Sequence, residues 1–142
     1  MRAISMAIRP SAVIVVILTL LVGCVDLRRA PAYNVHHNAV FVYDEGHTLR
    51  QIEKRLVAAV NAARWIATPV RPGLLHATTR WGGGLRHVAV MNIEYNLETY
   101  SIKYGSSRYL LQKVAADGRT YVHKTYNLRV WDLEHDINRY LY

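Results

Sequence analysis

The chain has few of the residues on which several classes of small protein depend. It contains one cysteine among 142 residues, which excludes an internal disulfide framework and a cysteine-rich zinc site. Acidic residues number 10 against 18 lysines and arginines, so the formal net charge is +8. Charged residues make up 20% of the chain and hydrophobic residues 51%, a balance that argues against disorder. The length suits one domain, or a small domain with an appended segment.

No apolar run in the sequence is long enough to predict a membrane-spanning helix. Residues 12–25 cover 14 positions and include a threonine and a glycine, whereas crossing the hydrocarbon core takes about 20 apolar residues. The run follows Arg2 and Arg9 and ends in small residues. A basic segment, then about ten apolar residues, then small residues are typical of a secretory signal. We therefore predict that residues 1–23 form a signal peptide.

The single cysteine lies at the end of this segment. Leu21-Val22-Gly23-Cys24 resembles the lipobox of bacterial lipoprotein precursors. That resemblance implies a diacylglycerol on the Cys24 thiol, cleavage after Gly23 and acylation of the new amino group. Each buried CH₂ of an acyl chain contributes about 0.8 kcal/mol, so several chains anchor a soluble domain firmly to a membrane. The alternative is a buried cysteine in an uncleaved membrane anchor.

The residues after Cys24 bear on the destination of the protein. In lipoprotein sorting, an aspartate at the second position of the mature chain favours inner-membrane retention, and here that position holds Val25. We therefore expect the outer membrane, with the domain facing the periplasm. Asp26 at the third position leaves the inner membrane as the alternative. Loss of two arginines with the leader lowers the formal net charge to +6.

The rest of the chain divides into a linker and one domain. Residues 24–38 include Arg28, Arg29 and Pro31 with little apolar periodicity, which predicts a lipid-anchored tether that reaches at most about 50 Å. Residues 39–142 are predicted to form a single periplasmic domain. Its first strand is expected over 39–43, and a helix of about 16 residues follows a capping box formed by Thr48 and Gln51.

The clearest local pattern is a β-hairpin over residues 87–104, in which apolar and polar residues alternate on both strands. The expected cross-strand pairs are Tyr95–Tyr100, Ile93–Ile102 and Met91–Tyr104 on the apolar face, with Glu94–Ser101 and Asn92–Lys103 on the polar face. Two further strands are expected over 65–70 and 74–81, and a turn at Gly82-Gly83-Gly84 joins the second of them to the hairpin. Residues 123–141 predict an amphipathic helix with its apolar stripe at Tyr126, Val130, Leu133, Ile137 and Tyr140/Leu141.

This order of elements predicts an α+β domain of two layers. An antiparallel sheet of four to five strands would carry two helices, one after the first strand and one at the C-terminus, packed on one apolar face. A domain of this length buries roughly two thirds of its unfolded surface, so it can fold without disulfides.

Metal and catalytic chemistry have little support in the sequence. None of the seven histidines has the i, i+4 spacing of a helical zinc pair, and His76 and His87 are expected on opposite faces of neighbouring strands. Surface and capping positions are the default for histidines. The chain has no Gly-x-Ser-x-Gly motif, and Cys24 is assigned to lipid. We expect no metal, no cofactor and no enzymatic activity, with a small hydrolase or metal-binding protein as the alternative.

The excess of positive charge predicts an acidic partner. Export excludes nucleic acid, so the expected polyanions are phosphorylated lipid A, anionic phospholipid or a teichoic-like polymer. The candidate contacts lie beside the anchor and on or near the sheet: Arg28, Arg29, Arg71, Arg80, Arg86 and Lys103. The alternative interpretation is solubilising charge dispersed over the surface.

Two motifs in the domain resemble those of a known group of proteins. The first is the hairpin, with His87-x-Ala89-x-x-Asn92-Ile93-x-Tyr95 followed by Tyr100-Ser101-Ile102-x-Tyr104. The second is His123-x-x-Tyr126-Asn127 in the last helix. Both resemble a family of small proteobacterial lipoproteins of unknown function, over about residues 40–141. The resemblance implies an exported, lipid-anchored α+β domain and no catalytic residues. We therefore predict an envelope lipoprotein that serves as a binding or accessory module for an envelope component or a protein partner.

Overall fold

The computed structural model describes residues 27–40 and 46–142. The predicted signal peptide over 1–23, the predicted lipid attachment site Cys24 and most of the strand predicted over 39–43 lie outside the described residues. Neither helix in the described ranges has the length and hydrophobicity that a membrane crossing requires.

Two helices and two antiparallel sheets make up the described chain, which confirms the predicted α+β class. The helices are α1 (Leu49–Ala62) and α2 (Lys124–Leu141). The strands are β1 (Arg29–Pro31), β2 (Val35–Ala39), β3 (Ile66–Arg71), β4 (Leu74–Trp81), β5 (His87–Tyr95), β6 (Thr99–Arg108), β7 (Lys113–Val114) and β8 (Thr120–His123). The larger sheet has the order β2-β6-β5-β4-β3, as many strands as predicted, and the smaller sheet, β1-β8-β7, was not predicted.

The segment predicted to be a tether is part of the fold over its described length. β1 pairs with β8, with Arg29 opposite His123, and β2 pairs with β6, with Val35 buried opposite Ile102. Backbone hydrogen bonds hold both strands, and a short, mostly polar strand leaves no apolar pattern in its sequence. Among the described residues, the first strand therefore begins at Arg29, ten residues before the predicted boundary of the domain.

Helix α1 begins at the predicted capping box. Thr48 Oγ1 accepts a hydrogen bond of 3.3 Å from the backbone amide of Gln51, and Gln51 Oε1 accepts one of 2.7 Å from the backbone amide of Thr48. These two bonds satisfy backbone donors that the first helical turn leaves without partners. The helix buries four apolar residues at helical spacing against the core: Ile52, Leu56, Ala59 and Val60.

The β5–β6 hairpin has the predicted register, and all five expected pairs are present. A β-bulge follows at Gly105, because Met91 pairs with Tyr104 whereas Val90 pairs with Ser106. A Cβ on Gly105 would lie 2.8 Å from the Val90 carbonyl oxygen, so the close approach of the two strands depends on glycine.

The triple-glycine turn joins β4 to β5 as predicted, with a different register. A turn centred on Gly83 predicts His76 opposite Val90 and His87 opposite Thr79. In the structure His76 lies opposite Asn92 and His87 opposite Trp81, a shift of two residues. The difference arises because a short 3₁₀ turn over Gly83–Leu85 lengthens the loop. A shift of two residues preserves the side-chain faces, so the two histidines lie on opposite faces of the sheet, as predicted.

Helix α2 and one face of the large sheet share a core. The buried residues of α2 follow the predicted stripe, with Leu141 buried and Tyr140 exposed: Tyr126, Val130, Leu133, Ile137 and Leu141. The Tyr126 hydroxyl donates to the Met91 sulfur at 2.9 Å, and the Tyr95 hydroxyl donates to Glu53 of α1. Both helices thus contact the face that carries Met91 and Tyr95. That they pack wholly on this face stays a prediction.

Candidate functional site

The chain enters the fold beside the first turn of α2. The Lys124 amide donates a hydrogen bond of 3.0 Å to the Arg28 carbonyl, and β1 begins at the next residue. Cys24 precedes β1 by five residues, a length that spans at most about 18 Å when extended. A lipid on Cys24 would therefore hold the folded domain much closer to a membrane than the predicted tether of about 50 Å.

Side chains of α2 hold the segment between β1 and β2. Asn127 Oδ1 accepts a hydrogen bond of 2.8 Å from the Tyr33 amide, and Asn127 Nδ2 donates one of 2.9 Å to the Pro31 carbonyl. The two Glu134 oxygens accept from the Tyr33 hydroxyl and from Asn38 Nδ2, each at 2.8 Å. The hydrogen bond to Glu134 raises the pKa of Tyr33. The segment between β1 and β2, which we call the entry segment, therefore has a defined position on α2.

Three predicted polyanion contacts share the outer face of the large sheet, which points away from the core. Pairing places Arg71 beside Leu74, Arg80 beside Val88 and Lys103 beside Asn92, all on this face. Lys103 Nζ lies 2.5 Å from Glu94 Oε2, so a carboxylate offsets its charge. Arg71 lies at the same end of the sheet as Glu94, whereas Arg80 lies at the other end. Arg71, Arg80 and Lys103 therefore do not form one basic cluster.

Arg108 belongs to the outer face and was not predicted. It lies opposite Val88, whose partner on the other side is Arg80, so the two arginines flank Val88 at about 10 Å, the width of two strand spacings. Unbroken alternation from Tyr104 would assign Arg108 to the core face. The bulge at Gly105 reverses that assignment, and an isolated glycine within a strand pattern was the signal that could have revealed it.

Arg86 lies in the exposed turn before β5, at the same end of the sheet as Arg80 and Arg108. The acidic residues of the hairpin, Glu94 and Glu98, lie at the opposite end, because β5 and β6 are antiparallel. The sheet therefore has one basic end and one end of mixed charge.

Hydrogen bonds connect the basic end of the sheet to the point where the chain enters the fold. His87 Nδ1 lies 2.9 Å from the Tyr109 carbonyl oxygen, and Arg29 Nε donates to the Leu111 carbonyl at 2.8 Å. Between them, the His123 amide donates to the Leu110 carbonyl at 2.8 Å. We name the resulting region the anchor-end surface, with the following residues: Leu27, Arg28, Arg29, Leu85, Arg86, Arg108, Tyr109, Leu111 and Lys124.

The histidines contribute to packing and capping. His123 Nδ1 accepts a hydrogen bond of 3.2 Å from the Thr125 amide and caps α2, and the His135 ring stacks on Trp131 with ring centres 5.9 Å apart. Within residues 27–40 and 46–142, the side chains of His, Cys, Asp and Glu form no group of three or more that could hold a metal ion.

A groove of about 410 Å³ lies between the two sheets, lined in part by Lys103, Tyr104 and Arg119. Both cations are paired, Lys103 with Glu94 and Arg119 Nε with Asp117 Oδ2 at 2.5 Å. Hydrogen bonds from the Arg119 amide and side chain hold the pKa of Asp117 below its usual value. The groove therefore gives less support to an anion site than the anchor-end surface does.

Comparison with protein-family models gives no match, and neither the curated proteins nor the solved structures include one that matches the chain. The resemblance to small proteobacterial lipoproteins therefore stays a prediction.

Proposed function

We propose that this protein is a lipid-anchored bacterial envelope lipoprotein with a non-enzymatic binding or accessory domain. The observation that carries the proposal is the position of the single cysteine, Cys24, directly after Leu21-Val22-Gly23 and behind a basic and apolar leader. The fold is compatible with processing there, because β1 begins at Arg29 and a chain cleaved before Cys24 keeps every described strand and helix.

A binding role is also supported by a difference between two groups of polar side chains: one group forms hydrogen bonds within the fold, and the other is exposed. Glu134 and Asn127 hold the entry segment, and Glu53 accepts a hydrogen bond from Tyr95. Arg86, Arg108 and Lys124 of the anchor-end surface are exposed, and their charge favours contact with an acidic partner.

Metabolic labelling with a clickable fatty acid tests the anchor. Cells that produce the protein are expected to yield a labelled band of the mature size, because Cys24 is acylated after cleavage. Cys24→Ser should abolish the label and leave an unprocessed precursor. Thr19→Ser, a conservative change in the same leader, is the control and should keep full labelling. Undiminished labelling of the Cys24→Ser variant would refute the proposal.

We further propose that the protein resides in the outer membrane with its domain in the periplasm, since Val25 occupies the second mature position. Density-gradient separation of the membranes checks this localisation. Val25→Asp should move the protein to the inner-membrane fraction, while Val25→Ala should leave it in the outer-membrane fraction. If the wild-type protein were found in the inner-membrane fraction, the proposed localisation would be wrong, while the proposal of a lipid anchor would be unaffected.

A second candidate function is binding of an anionic envelope component. The observation that favours it is the grouping of Arg80, Arg86 and Arg108 at one end of the sheet. Binding of phosphorylated lipid A to the detergent-solubilised protein should weaken as salt rises, because screening reduces interactions between exposed charges. Arg80→Gln with Arg108→Gln should weaken it further than the control Arg50→Gln with Arg71→Gln. Equal weakening by the two pairs would count against this site.

A further inference from the structure

We infer that the anchor-end surface docks on the anionic phospholipid headgroups of the bilayer that holds the Cys24 lipid, so that the domain lies against the membrane in one orientation. The inference rests on the proposed lipid anchor and extends it, because it names the face of the domain that meets the bilayer and the chemistry of the partner.

Four large apolar side chains are exposed on this surface. Leu27 is 75% exposed, Leu85 58%, Tyr109 68% and Leu111 43%. They come from three separate segments of the chain, which the hydrogen bonds of His87, Arg29 and His123 bring to one end of the domain. Leucine and tyrosine side chains suit the boundary between headgroups and acyl chains, where an apolar body is buried and a hydroxyl stays hydrated.

The backbone supplies an independent indication that these side chains have a role. Leu85, Tyr109 and Leu111 have φ angles of +51°, +59° and +55°. A non-glycine residue seldom adopts positive φ, because its Cβ crowds the backbone. Strained conformations of this kind cluster at functional sites. Three of the five non-glycine residues with positive φ in the described chain thus carry an exposed apolar side chain on this surface, and the other two, His37 and Arg64, are not part of it.

The charge of the surface matches an anionic bilayer. Arg86, Arg108 and Lys124 are exposed, and Arg28 lies beside Lys124, whose amide donates a hydrogen bond to the Arg28 carbonyl. A basic residue close to an anionic membrane strengthens association about fivefold. Exposed apolar side chains ringed by arginine and lysine are the composition that binds at a membrane interface.

Only a short length of chain separates the proposed anchor, Cys24, from the anchor-end surface. Leu27 follows Cys24 by three residues, a length of at most about 11 Å when extended. An acylated Cys24 would therefore keep the anchor-end surface next to the headgroups and give it a high effective concentration there. The opposite end of the domain, with Leu97 in the β5–β6 turn, would face the aqueous compartment.

The single cysteine allows a direct test with the full-length processed protein. Once Cys24 is acylated, an introduced cysteine is the one free thiol and accepts an environment-sensitive fluorophore. We would label Leu85→Cys and Tyr109→Cys on the anchor-end surface, and Leu97→Cys, 49% exposed at the opposite end, as the control. The labelled proteins would be reconstituted into phosphatidylglycerol–phosphatidylcholine vesicles that contain a lipid quencher near the headgroups.

The expected result is quenching and a blue shift at positions 85 and 109 but not at 97. Replacing Arg86 and Arg108 together by glutamine should lower the ratio of docked to undocked protein about 25-fold, since two basic contacts are lost. Arg50→Gln with Arg71→Gln removes the same charge from other parts of the surface and should change little. Similar quenching at all three labelled positions would overturn the inference.

Failure of the anchor and failure of the docking surface give different results. If Cys24 carries no lipid, the Cys24→Ser form of each labelled protein can be added to the same vesicles. Quenching at positions 85 and 109, without quenching at 97, would still support docking. Absence of quenching at 85 and 109 would overturn it. If the labels are shielded in native membranes but exposed in pure lipid vesicles, the anchor-end surface binds a protein partner and not the lipid headgroups, which would also overturn the inference.

Discussion

Asn127, in the first turn of α2, holds the Tyr33 amide through a hydrogen bond of 2.8 Å to its Oδ1. The same side chain donates from Nδ2 to the Pro31 carbonyl at 2.9 Å. One amide group thus satisfies a backbone donor and a backbone acceptor just after β1, where no strand partner is present for Tyr33. Asn127 thus fixes the position of this segment on α2.

Asn127→Ala should therefore lower the free energy of unfolding by about 1–3 kcal/mol, because two hydrogen bonds of about 0.5–1.5 kcal/mol each are lost. Hydrogen exchange at the Tyr33 amide should accelerate more than exchange in β5. Leu128→Ala, at the exposed neighbouring position of the same helix, is the control and should be nearly neutral. Equal exchange at Tyr33 in the wild type and the Asn127→Ala variant would show that the contact does not hold the segment.

Gly105→Ala should destabilise the β5–β6 bulge by about 1–3 kcal/mol, the usual cost of forcing atoms into a packed site. The added Cβ would lie 2.8 Å from the Val90 carbonyl oxygen, and a backbone atom in the middle of a sheet has little freedom to move. Gly83→Ala is the matched control, since a Cβ there meets nothing within 4 Å. Thermal unfolding of both variants measures the difference. A melting temperature for Gly105→Ala as high as that of Gly83→Ala would contradict this account.

The elements that the sequence predicts well are those with one buried face. In the β5–β6 hairpin, alternation on both strands is compatible with a single register, because a one-residue slip would turn the apolar residues of one strand, such as Ile93 or Ile102, to the solvent face. The long apolar stripe of α2 is equally informative, because five positions repeat at helical spacing. The small sheet escaped prediction because its strands are two to four residues long and β1 pairs with a strand about ninety residues away.

The candidate site was predicted in part. Arg28, Arg29 and Arg86 were singled out by charge, and the structure brings them to the same end of the domain. Leu85 and Tyr109 were not predicted as parts of the site, since a sequence does not show positive φ angles or a hydrogen bond between His87 and a distant loop. These features depend on tertiary contacts, which local patterns do not report.

Thr48→Ala should cost about 1 kcal/mol of stability, because it removes the acceptor for the Gln51 amide at the start of α1. Thr48→Ser retains an equivalent hydroxyl and should keep nearly the whole stability. Chemical denaturation of the two variants compares them directly. If serine and alanine were equally destabilising, the lost methyl group, and not the capping hydrogen bond, would explain the effect.

Buried tyrosines predict a loss of stability at alkaline pH. Burial, with smaller electrostatic contributions, raises the pKa of Tyr100 to about 12, and burial together with the hydrogen bond to Glu53 raises that of Tyr95 to about 12. The unfolded-state value is about 10. Because both folded-state values are higher, the folded state binds these protons more tightly, and the stabilisation is fully present below pH 10. The free energy of unfolding should therefore fall as pH rises from 10 to 12.

Urea unfolding at intervals between pH 8 and pH 12 measures this dependence. Tyr100→Phe should lower stability at neutral pH, since the hydroxyl no longer donates to Asn138 Oδ1 at 2.5 Å. It should also flatten the decline above pH 10, because one shifted phenol is gone. Tyr109→Phe, at an exposed tyrosine, is the matched control and should leave the decline in place. A decline of the same steepness in Tyr100→Phe and Tyr109→Phe would remove Tyr100 as its source.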